Sequence, residues 1–216
     1  MDEEAMVASL ALHVVVLPTL DQLEQPRSIA AAQTLRSAFN KVERANPGLT
    51  QDFLAGILDA EKTSINLVES LLRLSCEEVD VYTLDRPEAE FVQLNRKANG
   101  LKRILSRIPQ EINDRSRFLQ TIKDIAGAIK ELLDAVNVVS KAQQASEKMK
   151  EYKKVSKFKV LEQNKKSFVK HSKSFSDTLK RYFKDGKSDN VFLSANRLIN
   201  QTNALLRIFK AASVDI

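Results

Sequence analysis

The sequence predicts an all-α protein, because both its composition and the spacing of its apolar residues are those of helices. The 216 residues contain only five Gly and five Pro, which is little material for the turns of an all-β fold. Apolar residues recur every three or four positions along most of the chain, as on the buried face of a helix. We therefore expect a small helical unit followed by a four-helix bundle.

The chain opens with an apolar run, Ala5 to Leu17, that we interpret as a buried helix. Three acidic residues precede it where a secretory signal would carry positive charge, and the run is too short to span a bilayer. Pro18 and Pro26 interrupt any long helix, so we expect one or two short helical pieces before residue 30.

Three short helices are expected next. Ser28 suits the N-cap of the first helix. Asn46-Pro47-Gly48, which is typical of a turn, is expected to end this helix. Thr50 is expected to cap the second helix, and Ser64 to open the third. Their apolar positions are Ile29, Ala32, Leu35, Phe39 and Val42 in the first, Phe53, Leu54, Ile57 and Leu58 in the second, and Ile65, Val68, Leu71, Leu72 and Val79 in the third.

This first unit is too small to complete a core by itself. Its helices are short and many of their apolar positions are Ala, so the unit alone would be marginally stable. We predict that it dimerises through a surface of Leu35, Ala38, Ile57 and Leu58. The alternative, that these four residues are simply the interior of the unit, is equally compatible with the sequence.

Four longer helices follow Leu84-Asp85-Arg86-Pro87 and predict an antiparallel four-helix bundle. The first ends at Pro109, the third stops in Lys184-Asp185-Gly186-Lys187, and the last starts at Asp189 or Asn190. Their apolar positions are Phe91, Leu94, Ala98, Leu101, Leu105 and Ile108 in the first, Phe158, Leu161, Phe168, Phe175, Leu179 and Tyr182 in the third, and Val191, Ala195, Leu198, Thr202, Leu205 and Phe209 in the last.

The second helix of the bundle, capped near Asn113 or Asp114, is expected to be its spine. Its apolar residues are spaced alternately four and three apart, which suits near-parallel packing against other helices. On its polar face, Lys123, Ala126 and Lys130 form a small-residue notch between two ammonium groups. The apolar positions are Phe118, Ile122, Ile125, Ile129, Leu132, Val136 and Val139.

Charge divides the chain into an acidic part and a basic part. Residues 1–95 hold seven basic and sixteen acidic residues, whereas residues 96–216 hold twenty-seven basic and twelve acidic ones. This uneven division argues for an acidic first unit and a basic second one.

The segment from Lys148 to Lys173 is rich in lysine, with ten lysines against Glu151 and Glu162. Such a segment could attract anionic lipid or nucleic acid, but a solvated helix junction is the more common explanation. Nucleic acid is the weaker functional alternative, because arginines are few and no binding motif is present.

No pattern typical of catalysis, metal binding or cofactor binding occurs. His13 and His171 lie far apart in sequence and in different units, which argues against a metal site or a catalytic triad. The single Cys76 cannot form an internal disulfide, which fits a reducing compartment. We expect no enzymatic activity, no cofactor and no metal.

Six segments together resemble the programmed cell death protein 10 family, also called the cerebral cavernous malformations 3 family. They occur in the family's order and cover most of the chain from Ala31 onward. The segments are AAQTLRSAF (31–39), NPGLTQD (46–52), ESLLRL (69–74), IPQEINDRSRFLQTIKDIAGAIKELLD (108–134), SKSFSDTLKRYFKDGK (172–187) and NVFLSANRLINQTN (190–203).

The resemblance implies a helical dimerisation domain at residues 1–62, a linker helix and hinge at 63–87, and a four-helix bundle similar to the focal adhesion targeting domain at 88–216. It implies that the first domain forms a homodimer or pairs with germinal centre group III Ste20-like kinases, and Leu35, Ala38, Ile57 and Leu58 match the family's interface positions. The bundle is implied to dock leucine-aspartate motifs of paxillin and the malformation scaffold protein, and to contact striatin. The matching docking positions are Lys123, Ala126, Lys130, Lys173 and Ser176.

These implications add up to a cytoplasmic adaptor with peripheral association to the Golgi and the plasma membrane. It would link kinase signalling to striatin (STRIPAK) complexes, cell junctions, the Golgi, angiogenesis, and apoptosis or cell survival. The alternative is a peripheral membrane protein that binds anionic phosphoinositides through its lysine-rich helical face.

Overall fold

The structure is a computed structural model that describes residues 10–23, 28–76, 82–145 and 151–211. Within these residues every regular element is a helix, as the sequence predicts. The predicted positions 5–9, 26, 79 and 148–150 lie outside the described residues. The helices are α1 (Leu12–Val16 and Leu17–Gln22), α2 (Ile29–Ala45), α3 (Leu49–Ala60), α4 (Leu67–Leu74), α5 (Ala89–Ser106), α6 (Ile108–Glu111), α7 (Arg115–Ala145), α8 (Glu151–Asp185) and α9 (Ser188–Ala211).

Helix α1 continues through Pro18 because the turn before it widens. Proline has no N–H, and its ring would clash with the carbonyl group four residues earlier in a regular α-helix. Here the N–H of Leu17 bonds to the carbonyl oxygen of Leu12, five residues back, and Leu12–Val16 is π-helical. Before α2, the described residues therefore contain one short helical piece.

The predicted cap of α3 at Thr50 is wrong. The N-cap residue is Gly48, whose φ of 109° is in the left-handed region that favours glycine, and Thr50 is buried inside the first turn. Gly48 has no side chain that could accept the first N–H groups of α3, and the carboxylate of Glu43 accepts in its place. It accepts hydrogen bonds from the N–H of Gly48 at 3.1 Å, the N–H of Thr50 at 3.0 Å and the hydroxyl of Thr50 at 2.6 Å. Helix α2 thus caps helix α3.

Two other cap predictions also need correction. Ser28 occupies the N-cap position of α2, but its hydroxyl donates to the carbonyl oxygen of Leu23 instead of accepting from the helix. Helix α4 does not open at Ser64, because its N-cap is Asn66, whose side chain accepts the N–H of Glu69 at 3.1 Å.

Helices α5, α7, α8 and α9 form the predicted four-helix bundle. Asp114 caps α7 by accepting the N–H groups of Ser116 and Arg117. Gly186 ends α8 with a φ of +69°, and α9 begins at Ser188, one residue earlier than predicted. All apolar positions predicted for the first and last bundle helices are buried, although α5 ends at Ser106 and Ile108 and Pro109 lie in α6.

The predicted stripes of α7 and α8 are mostly buried, with informative exceptions. In α7, five of the seven positions are buried, whereas Ile122 and Ile129 are half-buried. In α8, the prediction is wrong for Phe158, which is 43% exposed. Tyr182 is half-buried and donates its hydroxyl to the carbonyl oxygen of Ile112 at 3.2 Å.

The short helices α1 and α4 pack on one side of the bundle. Leu71 and Leu72 of α4 are buried in the same core as the bundle residues, together with Leu10 and Val14 from the start of the described chain. The side chain of Asn196 donates to the carbonyl oxygen of Val68 at 2.9 Å and fixes α4 to α9. The surface of α9 that points away from α8 is therefore covered by the chain itself.

A polar cluster of His13, Tyr82 and Arg207 joins α1 to the end of α9. The guanidinium of Arg207 donates to His13 Nε2 and to the hydroxyl of Tyr82, both at 3.0 Å, and lies 4.8 Å from the centre of the Tyr82 ring. Burial and, secondly, the nearby charge of Arg207 together lower the pKa of His13 to about 4, and the charge of Glu43 partly opposes this shift. His13 is therefore neutral near pH 7.

Candidate docking surfaces

The first candidate surface lies on the hairpin of α2 and α3. The rings of Phe39 and Phe53 meet edge to face at 5.8 Å, which fixes the pairing of the two antiparallel helices. Leu35 lies one turn before Phe39 on α2, and Ile57 lies one turn after Phe53 on α3. Both therefore lie one helical turn further from the connection between the two helices. Four apolar side chains are thus arranged along one hairpin.

The four residues predicted for dimerisation lie mostly in the open. Leu35 is 47% and Ile57 43% exposed, Ala38 is also exposed, and Leu58 is half-buried. The alternative that all four form the interior of the first unit is therefore wrong for the single chain. Large aliphatic groups left exposed on adjacent helices are typical of an interaction surface.

Leu49 and Phe53 extend this surface, although the sequence reasoning did not place them there. Both are about half exposed, and with Ile57 they repeat every four residues along one side of α3. The signal was present in the sequence, because the apolar residues of α3 are too many for a single buried stripe. We call Leu35, Leu49, Phe53 and Ile57 the hairpin surface.

The second candidate surface is a groove between α7 and α8. Its cavity has a volume of about 270 Å³, and its walls include the half-buried Ile122 and Ile129 of the spine. Three of the five predicted docking residues, Ala126, Lys173 and Ser176, line this cavity. Lys123 and Lys130 do not line it, and both lie exposed on α7 three residues before and four residues after Ala126.

The groove combines an apolar floor with cationic edges. Lys123, Lys130 and Lys173 are exposed, and among the described residues none of them pairs with a carboxylate. The hydroxyl of Ser176 donates to the carbonyl oxygen of Ser172 at 3.2 Å, so it is already used within α8. The arrangement suits an apolar helix face with acidic residues beside it.

The histidines and the cysteine of the described chain lie apart from one another. Over the described ranges, no group of three or more His, Cys, Asp or Glu residues could hold a metal ion. His13 and His171 lie in separate places, and the half-buried thiol of Cys76 donates to the carbonyl oxygen of Arg73 at 3.3 Å. No helix in the described part of the chain is long and apolar enough to cross a membrane.

The lysine-rich segment contributes a continuous part of α8. Its side chains are described from Phe158 onward, where Lys159 and Lys166 are exposed and Lys165 pairs with Glu162 at 2.7 Å. The described part is thus a solvated helix face that leads into the groove.

Known proteins match the parts of the chain that form both surfaces. Residues 4–64 match the family model "Programmed cell death protein 10, dimerisation domain", and residues 65–157 match "Programmed cell death protein 10, C-terminal". The Programmed cell death protein 10 homolog of Caenorhabditis elegans is 34% identical over 214 residues, which cover 95% of each chain. The hairpin surface falls in the first match, and the α7 wall of the groove falls in the second.

Proposed function

This chain belongs to the programmed cell death protein 10 family, and we propose that it is a non-enzymatic adaptor that holds two different proteins on two separate surfaces. The observation that carries the proposal is that both surfaces leave apolar side chains exposed in the single chain. A dimerisation domain is shown by the family match, and the hairpin surface is its exposed apolar face.

The hairpin surface binds a similar helical hairpin, either in a second copy or in a germinal centre group III Ste20-like kinase. Leu35 and Ile57 are each nearly half exposed, so covering both removes a substantial apolar area from water. Ala38, which is small, allows a partner helix to approach α2 closely. Pairing with a kinase would also stabilise the adaptor, because the kinase binds only the folded form.

Charge placed on the hairpin surface tests this part of the proposal. The double variant Leu35→Asp and Ile57→Asp should lose self-association in sedimentation velocity and retention of the kinase C-terminal segment in a pull-down. The matched control is Val92→Asp with Val138→Asp, which charges exposed positions on α5 and α7. Circular dichroism should show a folded bundle in both variants. Wild-type retention of the kinase by the first variant would contradict the interface.

The groove between α7 and α8 docks an amphipathic helix of the leucine-aspartate type, as offered by paxillin, the malformation scaffold protein or striatin. Leucines of such a helix fill the apolar floor, and Ala126 lets its backbone come close. Lys123, Lys130 and Lys173 face its acidic side chains and steer binding in a salt-dependent manner. Contacts of this kind give micromolar affinity, about −8 kcal/mol.

Reversing the charge at the edge of the groove tests the docking step. Lys123→Glu with Lys130→Glu should abolish binding of a leucine-aspartate peptide in titration calorimetry. Lys41→Glu with Arg44→Glu changes the net charge equally, but on α2 and far from the groove, and should leave the affinity unchanged. Equal affinity of both variants would exclude the groove as the docking site.

Association with the Golgi and the plasma membrane follows, in this proposal, from the docked partners. Flotation with liposomes that contain anionic phosphoinositides separates this route from direct lipid binding. Recovery of the purified chain with the liposomes, in the absence of any partner, would favour the lysine-rich face as the anchor.

A further inference from the structure

A second cavity lies at the end of the bundle, next to the docking groove. It has a volume of about 520 Å³ and is formed where α7 begins and α8 ends. Arg115, Phe118 and Leu119 of α7 line it on one side, and Tyr182 and Phe183 of α8 on the other. The residue positions that match the family's docking motif all lie outside this cavity.

The two cavities lie on the same face of both helices. On α7 the lining residues Arg115, Leu119, Ile122, Ala126, Ile129 and Leu133 are spaced alternately four and three apart, and Phe118 and Ile125 line the cavities beside them. On α8 the lining residues Val169, Ser172, Ser176, Leu179 and Phe183 follow the same alternation, and Lys173, Phe175 and Tyr182 line the cavities beside them. Since such spacing keeps side chains on one stripe of a helix, the two cavities form one furrow.

We infer that a docked helix continues through the whole furrow and places about two further turns against the cavity at the bundle end. From Arg115 to Leu133 the furrow is about 27 Å long, at 1.5 Å per residue, which matches a helix of about eighteen residues. This inference rests on the docking function proposed above, and it adds a subsite and a minimum length to the partner.

The chemistry of the added subsite is apolar with one cation. Leu119 is 43% and Phe183 is 47% exposed, so both offer surface that a large apolar side chain could cover. The ring of Phe183 lies 5.9 Å from that of Phe118 and 5.7 Å from that of Tyr182, which holds it in place. The subsite is therefore preformed and does not need to be ordered on binding.

Arg115 indicates that the partner is negatively charged at the bundle end of the furrow. It is exposed, and within the described part of the chain it pairs with no carboxylate. Together with Lys123, Lys130 and Lys173 it extends the row of cations along the whole furrow. The occupant is accordingly an acidic amphipathic helix with a large apolar residue and an acidic residue in its outermost two turns.

Synthetic peptides of two lengths test the inference by titration calorimetry with the full chain. The short peptide is a leucine-aspartate helix of about eleven residues, and two long peptides of about eighteen residues carry a Leu- and Glu-containing extension at either end. One long peptide should bind about tenfold more tightly than the short one, because one further large side chain is buried. Leu119→Ser with Phe183→Ala should remove that gain and leave the affinity for the short peptide unchanged.

Val138→Ser with Phe158→Ala is the matched control, since it alters an exposed aliphatic and an exposed aromatic residue on the same two helices outside the furrow. It should keep the full gain. If the short peptide binds and neither long peptide binds more tightly, the extension is wrong and the docking function stands. If no peptide of either length binds, the docking function is wrong and the extension with it. Self-association that the first variant abolishes would assign the subsite to a second copy and overturn the inference.

Discussion

Replacing His13 with glutamine should remove a specific acid sensitivity of the folded chain. Burial lowers the pKa of His13 from its ordinary value of 6.5 to about 4, with the charge of Arg207 as the second cause. The unfolded chain therefore binds more protons between these two values than the folded chain does. It follows that the free energy of unfolding falls as the pH drops below 6.5, and that this loss levels off below about pH 4.

The size of the effect follows from the two pKa values. The difference between a pKa of 6.5 and one of about 4 corresponds to a total loss of about 3 kcal/mol in the free energy of unfolding. About 2 kcal/mol of this is lost by pH 5. The glutamine side chain does not titrate, and its amide oxygen can still accept the hydrogen bond that Arg207 donates to His13 Nε2 at 3.0 Å. The variant should therefore lose the pH dependence while it keeps the contact.

Urea unfolding followed by circular dichroism, at about pH 7.5 and about pH 5, measures this difference. Other groups titrate in both proteins, so the informative quantity is the pH-induced change in wild type minus that in His13→Gln, expected to be about 2 kcal/mol. Equal losses in the two proteins would refute the reasoning. So would an imidazole of His13 that titrates near 6.5 in the folded protein by NMR.

Three further predictions concern stability and can be measured by the same unfolding assay. Glu43→Ala leaves the start of α3 without its acceptors and should cost about 2 kcal/mol and weaken self-association, since α3 carries part of the hairpin surface. Leu132→Ala should cost about 2–5 kcal/mol because the side chain is fully buried, whereas Val138→Ala, at an exposed site on the same helix, should cost less than about 0.5 kcal/mol. Gly186→Ala should cost about 1 kcal/mol at its left-handed φ, and Gly127→Ala, inside α7 with open space around the added Cβ, should stabilise by about 0.5–1 kcal/mol.

The bundle was predictable because its helices bury one continuous stripe each. Periodicity determines which side chains share a face, and the core positions of α5 and α9 were all correct for that reason. Periodicity does not report how far apart two helices pack. Ile122 and Ile129 fit the stripe of α7 as well as Leu132 does, yet they are only half-buried, because they line the groove between α7 and α8.

The caps were less predictable, because a cap can come from elsewhere in the chain. Thr50 fits the local preference for an N-cap, but Glu43, seven residues earlier, lies close enough to provide the acceptor for its N–H and its hydroxyl. Ser64 likewise fits a local rule that Asn66 satisfies instead. Residues within hydrogen-bonding reach across a turn are fixed by tertiary packing, which a linear pattern does not contain.

The distribution of exposed apolar side chains supports the proposal that the hairpin surface and the furrow both bind partner proteins. Among the described residues, fourteen large apolar side chains are exposed, of which the hairpin surface holds four and the furrow holds Leu119, Val169 and Phe183. On the other side of the bundle, α4 packs against α9 and buries Leu71 and Leu72. The chain thus provides its own leucine-rich helix for one side of the bundle. The side between α7 and α8 presents an equivalent apolar surface that no described part of the chain covers, so a helix from another protein is the occupant that its chemistry favours.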